Sequence, residues 1–412
     1  MRIIDVDAHL HEPLDWVERT DPGLAALLGP PARFLEVADA VFGISNPAVA
    51  QLPVQQQPRT AWDTVLPGFV RHLEMTDVRQ PARQADSAGD PFCDPGARLA
   101  LCDAEGIDVQ FLNPTFLVGP FVQAARARRL DLMPRIRACW NRWAMDQVYG
   151  HESRLMPVTQ LDLNDVPGAI REMTRMRALG SRGFAISESP VGVGRFGADG
   201  GSGPLPRSIT HPDFEPLWSA AEDLGMAAIA HVGFARERIQ FGWANNGADD
   251  LSTYSLLNMV IAPQLGPQLL LGALAFDGVL ERHPKLCVVV EEVGISWLPH
   301  LLAVLDRAVG RAPQAQLADG EFRPDFAGRA YRLPLAPTEY LRRQVAVTPL
   351  VATEPLRPTL DRVPPEMLCF SSDYPHVEGT GSAVAICERQ LGDCSAAVRA
   401  AFYGGVGERI GV

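Results

Sequence analysis

Lysine is almost absent: Lys285 is the single lysine of 412 residues, and arginine supplies the rest of the 37 basic side chains. A carbamylated lysine, one common bridge between two metal ions, is thereby excluded from every strand end except one near Lys285. A binuclear centre would need carboxylate bridges. Positive charge is scarce as well. The 49 acidic residues leave a net charge of -12, which argues against a nucleic-acid partner or an anionic membrane surface and favours chemistry on a small molecule. The seven cysteines are odd in number and never spaced Cys-x-x-Cys. That argues against a disulfide framework and a thiolate zinc site, and leaves most of them as small core residues. No run approaches the roughly 20 apolar residues of a membrane span, and no basic-then-apolar leader opens the chain. A cytoplasmic protein is expected.

What is present is a large apolar content, 47%, laid out as short β-branched runs alternating with longer helical patterns. Candidate strands fall near 2–9, 108–113, 156–161, 182–187, 226–231, 286–291, 344–348 and 367–372. Eight strands separated by helices predict an α/β fold, a distorted (β/α)8 TIM barrel forming a single domain over 1–412. Segments 97–105, 132–149, 166–179, 214–224 and 396–402 repeat apolar residues at three-to-four spacing, as outer helices do, and Asp213 is placed to cap one of them. Residues 14–94 interrupt the rhythm with Pro, Gln and Gly, most densely over 51–58. An insertion between the first strand and its helix would sit over the carboxyl end of the barrel, as a lid or a dimer contact. A glycine-rich stretch, 192–203, follows the fourth strand on the same face.

Functional residues of such a barrel come from the carboxyl ends of its strands. The first candidate strand runs into Asp7-Ala8-His9-Leu10-His11, and alternation would put Asp7, His9 and His11 on one side. The fifth closes on His231, and the sixth runs into Glu291-Glu292. Acids ending a buried apolar strand are costly unless paired or bound to a cation. Alternation puts one of the two in the lumen, and Glu292 is the candidate as donor, bridge or base. The eighth delivers Asp373 as ligand or base, with His376 just beyond it as a ligand or as a ligand's hydrogen-bond partner. Imidazoles and carboxylates without thiolate suit iron, manganese or zinc. Arg236 and Arg238, beside Phe241 and Trp243, are placed to bind a substrate carboxylate or phosphate, or belong to a solvated loop. His72 falls in the insertion, while His151, His211, His283 and His300 read as structural or remote.

Four motifs carry a family resemblance: Asp7-Ala8-His9 with Glu12-Pro13, the run Leu280-Glu281-Arg282-His283-Pro284-Lys285-Leu286, the turn Glu292-x-Gly294-x-x-Trp297-Leu298-Pro299, and Ser371-Ser372-Asp373-Tyr374-Pro375-His376. On these the chain resembles the amidohydrolase superfamily, in the group that includes aminocarboxymuconate-semialdehyde, resorcylate and carboxyvanillate decarboxylases. The resemblance implies a barrel with a divalent metal held by Asp7, His9, His231 and Asp373, and often a homodimer. Two departures stand out. The His-x-His of many members is Asp7-x-His9 here, which leaves His11 as an additional donor, and the sixth-strand histidine base of several decarboxylases is Glu292.

Seven donors in all, Asp7, His9, His11, His231, Glu292, Asp373 and His376, make the chain similar to a branch of binuclear non-heme iron monooxygenases. The leading expectation is therefore a centre of two iron ions using O2 as co-substrate, with Glu292, Asp373 and His376 in catalysis. It would hydroxylate a C–H bond of an apolar carboxylate or acyl-thioester intermediate of natural-product biosynthesis, with Arg236, Arg238 and Trp243 binding that substrate. The rival is a hydrolase or non-oxidative decarboxylase of a carboxylate substrate with one zinc or manganese ion, in which Glu292 or Asp373 moves the proton.

Overall fold

β-Branched Ile4 and Val6 favour an extended start, and β1 (Ile4–Leu10) is buried along its whole length. It pairs in parallel with β2 (Val109–Pro114), which pairs with β3 (Leu155–Pro157). A second parallel set runs β4 (Gly183–Ala185), β5 (Ala227–His231), β6 (Val288–Glu291) and β7 (Val345–Val347), in that order. The computed structural model describes residues 2–13, 15–31, 94–187, 190–191, 207–232, 257, 261–309, 331–376, 379–380 and 382–412. Most of the 14–94 insertion, the glycine-rich 192–203 stretch, His72, Arg236, Arg238, Phe241 and Trp243 lie outside the described residues.

Two seams join the strand sets into a ring. Thr159, just past β3, bridges Phe184 of β4; its N–H donates to Gly183 O at 2.9 Å and its carbonyl accepts from Ala185 N–H at 2.9 Å. Across the barrel, Leu368 bridges Val347 of β7 and Tyr374 bridges Ala8 of β1. Val6 and His9 donate to the carbonyls of Phe370 (3.2 Å) and Tyr374 (2.8 Å). The segment read as an eighth strand over 367–372 thus closes the ring through isolated bridges and not a regular ladder. Its backbone leaves strand geometry twice: Phe370 N–H donates to Phe402 O of the last helix at 3.1 Å, and Asp373 takes a left-handed φ of 52°.

The strand side chains sort into two layers. Ile4, Val6, Val109, Phe111, Ile229 and Val289 belong to the cluster that fills the lumen, while Ala8, Leu10 and Leu112 pack outward against Trp140 and Ile136 of the helix Met133–Gln147. Each buried aliphatic side chain of this kind contributes roughly 1.5–3 kcal/mol. Even-numbered positions of β1 therefore change sides along the strand. The cause is a register shift: Asp5 pairs with Gln110 but Ala8 with Leu112, so three steps of β1 span two of β2. A bulge of this sort puts two successive residues on one face. It turns Asp7 and His9 inward and leaves Asp5 outside with Gln110.

The expected helices form at Pro95–Glu105, Met133–Gln147, Val166–Ala178, Glu215–Leu224 and, extended well past position 402, Ala396–Ile410. Asp94 starts the first by accepting from Gly96 N–H (2.8 Å) and Ala97 N–H (3.0 Å), ahead of a proline at the first helical position. Asp213 does not cap its helix as expected. It lies inside a 3-10 turn, Pro212–Phe214, where it pairs with Arg207, and His211 takes the capping place by accepting from Asp213 N–H at 3.2 Å. The start of the insertion forms helices Trp16–Thr20 and Pro22–Leu28, whose Trp16 and Leu24 join the outer layer. No helix of the described residues is long and apolar enough to cross a membrane.

Candidate metal centre

Four strand ends deliver donors to one small volume at the carboxyl end of the barrel. His9 Nε2 lies 3.2 Å from His231 Nε2, 3.3 Å from Asp7 Oδ1 and 3.4 Å from Asp373 Oδ1. His231 Nε2 is in turn 3.5 Å from Asp7 Oδ1 and 3.1 Å from Glu292 Oε2. Among the described residues two donor groups arise, Asp7–His9–His231–Glu292 and His9–Glu292–Asp373–His376, each with its donor atoms within 4.8 Å of one another. The groups share His9 and Glu292, so they are overlapping parts of one centre.

Both imidazoles are oriented from behind. His9 Nδ1 meets Pro114 O at 3.2 Å and His231 Nδ1 meets Val232 O at 2.7 Å. A carbonyl only accepts, so each Nδ1 carries a proton, and both rings aim their Nε2 at the same point. Two lone pairs meeting at this distance repel unless a cation lies between them. Asp7 Oδ2 adds a buried oxygen without a hydrogen bond among the described residues. The donor set fits a divalent ion, because metal–nitrogen bonds of about 2.0–2.1 Å place tetrahedral neighbours about 3.3 Å apart.

The sixth strand end is more elaborate than alternation predicts. Cys287 and Val289 face the lumen, so Glu291 follows them inward, fully buried, and it accepts from Asn113 Nδ2 at 2.9 Å. Glu292 reaches the centre by another route, a left-handed φ of 59°, with its N–H donating to Thr348 Oγ1 at 3.1 Å. Non-glycine residues in this region cost roughly 1–3 kcal/mol and concentrate at functional sites. Asp373 is held in the same conformation, and its N–H donates to Asp7 O at 2.8 Å. Gly294 completes the turn with φ 68°, where a Cβ would stand 2.9 Å from the Glu354 carboxylate that accepts from Ile295 and Ser296 N–H.

His376 Nδ1 lies 2.9 Å from Asp373 Oδ1, its Nε2 is 3.3 Å from Thr115 Oγ1, and its ring rests 3.7 Å from that of His9. His11 falls one residue past the end of β1 and is in neither donor group; its ring centre is 5.5 Å from Phe116 and 6.3 Å from His376. Sequence reasoning assigned no role to three supporting residues, of which Glu12 appeared only as part of a motif. Glu12 accepts from Trp140 Nε1 (2.5 Å), Phe116 N–H (2.8 Å) and Thr115 N–H (3.2 Å). Arg98, buried on the helix Pro95–Glu105, donates to His9 O at 2.8 Å and lies over the Tyr374 ring at 4.9 Å. Asn113 is the third. His283 is structural as expected, 3.0 Å from Glu215, and His300 is exposed on its helix.

The electrostatics match a cation site. Burial, then the neighbouring His376, hold the His9 imidazole down at about 3. Burial also opposes charge on His231, but the Asp7 carboxylate outweighs it and raises the imidazole above its usual value. Burial likewise pushes Asp7 up, and the two histidines more than reverse this, leaving it below the usual carboxylate range. Glu291 is pushed well above that range by burial and by the like charge of Asp7. Asp7 is thus biased toward its ionised form and His231 toward its charged form, the pairing that a cation between them would replace.

A ring of parallel strands wrapped by helices, with imidazoles and carboxylates converging at its carboxyl end, defines the metal-binding (β/α)8 barrels. The family model for amidohydrolases matches residues 4–409, and the chain belongs to that family. Among solved structures it is similar to an amidohydrolase from Mycobacterium avium subsp. paratuberculosis, with 18% identity, TM-score 0.65 and 99% of each chain covered. It is also similar to 5-carboxyvanillate decarboxylase from Sphingomonas paucimobilis, with 21% identity, TM-score 0.55, and 99% of this chain and 98% of that one covered. A dihydroxybenzoic acid decarboxylase from Polaromonas, solved with manganese and 2-nitroresorcinol, has 14% identity and TM-score 0.59 over 100% of this chain and 97% of its own. No curated protein matches the chain.

Proposed function

We propose that the protein is a mononuclear, divalent-metal-dependent non-oxidative decarboxylase of a small carboxylate substrate, with a phenolic acid as the first class to test. The observation that carries this reading is the donor spacing of 3.2–3.5 Å among Asp7, His9, His231 and Asp373, the edge length of one coordination polyhedron. His9 contributes one nitrogen to both donor groups, since its other nitrogen faces Pro114 O, and this favours one ion over two. Two of the solved relatives named above act on phenolic carboxylic acids, and one of them carries manganese. The two-iron, O2-using reading draws no comparable support.

In this reading Asp7, His9, His231 and Asp373 hold the ion. A divalent cation there supplies electrophilic polarisation of a substrate oxygen. Glu292, whose Oε2 lies 3.1 Å from His231 Nε2, carries the proton: the bond from carbon to carboxylate breaks, its electron pair stays on carbon, and the Glu292 carboxyl delivers H+ to that carbon as CO2 leaves. Solvent then reprotonates Glu292. His376 holds Asp373 through the 2.9 Å contact at Nδ1. The test joins elemental analysis of protein purified without added metal to CO2 release from 2,6-dihydroxybenzoate and 5-carboxyvanillate after manganese loading, run in D2O. One divalent ion per chain, CO2 release and one deuterium at the vacated carbon are expected. Two iron ions per chain with O2 uptake overturn the reading.

A further inference from the structure

Beneath the donor atoms, Asn113 at the end of β2 turns one amide nitrogen toward two carboxylates. Its Nδ2 donates to Asp7 Oδ1 at 3.0 Å and to Glu291 Oε2 at 2.9 Å. Register explains its place, since Asn113 pairs with His9 and follows Val109 and Phe111 on the lumen face. Asn113, Asp7 and Glu291 are exposed by no more than 1%. A side-chain –NH2 has two hydrogens, so both bonds form without competition.

The far oxygens of the two acids, Asp7 Oδ2 and Glu291 Oε1, have no hydrogen bond among the described residues. The orientation of Asp7 therefore depends on Oδ1, which meets the amide on one side and the two imidazoles on the other. Both imidazoles give up that contact when their nitrogens turn to a metal. Apart from the ion itself, the amide is then the contact at Oδ1 that keeps the carboxylate from rotating. It also keeps two buried acids together that repel each other whenever both are ionised.

The geometry points to Asn113 as the positioning residue of the centre: one side-chain amide sets the orientation of Asp7 toward His9 and His231 and ties it to Glu291. The nitrogen that Asn113 turns to the centre offers no lone pair to an ion, and both its contacts are to carboxylates, so the amide acts through Asp7. The inference rests on the metal-centre reading above, and the test separates the two.

Manganese is titrated calorimetrically into wild type, Asn113→Ala and Glu291→Gln, and the visible bands of the cobalt-loaded proteins are compared. Loss of an outer hydrogen bond of this kind weakens metal binding about 10–100-fold. That loss is expected for Asn113→Ala, with altered cobalt bands. Glu291→Gln keeps an acceptor for the amide and should bind manganese as wild type does, since Glu291 is hydrogen-bonded to Asp7 only through Asn113. Asn113→Ala binding manganese as tightly as wild type, with unchanged cobalt bands, overturns the inference. Should Asn113→Ala fail to fold, Asn113→Ser, which keeps one donor of the two, takes its place with the same expected direction. If wild type itself binds no divalent ion, the proposed function fails. Crystal structures of metal-free wild type and variant then decide the positioning role: a rotated Asp7 carboxylate supports it and an unchanged one overturns it.

Discussion

Asp5 and Ser372 lock the seam between β1 and the last barrel segment: the Asp5 carboxylate accepts from Ser372 N–H at 2.8 Å and from Ser372 Oγ at 2.6 Å. Gln110 Nε2 adds a third bond at 2.8 Å, so one buried acid ties three chain segments together. Burial wins over these bonds and pushes the Asp5 carboxyl up to about 7.

A raised acid binds its proton more tightly in the folded chain than in the unfolded one. The stability it lends is complete below its ordinary value near 3.8 and is lost as pH climbs through about 7. Glu12, also pushed up to about 7 by burial, acts in the same direction. Asp5 should therefore contribute up to about 4 kcal/mol of stability that is lost between pH 4 and pH 8 in urea unfolding of the metal-free protein, against the opposite contribution of His9, held at about 3, below pH 6.5. Asp5→Asn should flatten that slope while lowering stability at pH 4. A stability difference between wild type and Asp5→Asn that does not shrink from pH 4 to pH 8 refutes the assignment.

Metal binding should depend on pH in the opposite sense. His231 is raised and binds a proton that a metal must displace, whereas His9, held at about 3, is already neutral. Affinity for manganese should grow as pH rises through the His231 titration, which lies above 6.5, with about one proton released per ion below it. Calorimetry in buffers of different ionisation enthalpy measures that release directly. Zero protons released at pH 6 contradicts the expected proton on His231.

Glu292→Gln separates a ligand from a proton carrier. A carrier's loss should leave metal content near wild type and cut turnover by about 10²–10⁴-fold. Metal lost in proportion to activity would instead make Glu292 a holder of the ion.

Arg98→Met removes the donor to His9 O and the cation over Tyr374 while keeping the aliphatic stem. A lowered melting temperature is expected, with a metal affinity weakened about tenfold, the lower end for a lost supporting contact. Thermal melts with and without manganese check both, and an unchanged metal-induced rise would confine Arg98 to a role in stability.

The repeating strand and helix pattern was legible because apolar periodicity reports burial directly, and seven of the eight candidate strands form near their expected places. The segment over 367–372 was legible in position but not in kind, since whether a short extended run forms a ladder depends on partners distant in sequence. Asp7, His9, His231, Glu292, Asp373 and His376 meet at the donor groups, yet the reasoning that placed them was partly wrong. Plain alternation would have carried Asp5 inward with Asp7, and would have carried only one of Glu291 and Glu292. A register shift and a left-handed backbone, neither visible in residue types, decide these positions. Asn113 and Arg98 gave no signal at all, because an amide at a strand end reads as a turn residue and one arginine among many reads as surface.

The shift in β1 has a consequence for how the chain tolerates change. Between Asp5 and Ala8 the first strand is one residue longer than its neighbour requires. Were β1 to alternate regularly through these residues with none looped out, everything downstream would re-phase, swinging the His9 imidazole out among the helices and bringing methyl groups to the mouth of the barrel. The capacity to hold an ion is thus stored in a spare length of backbone as much as in the identity of any ligand.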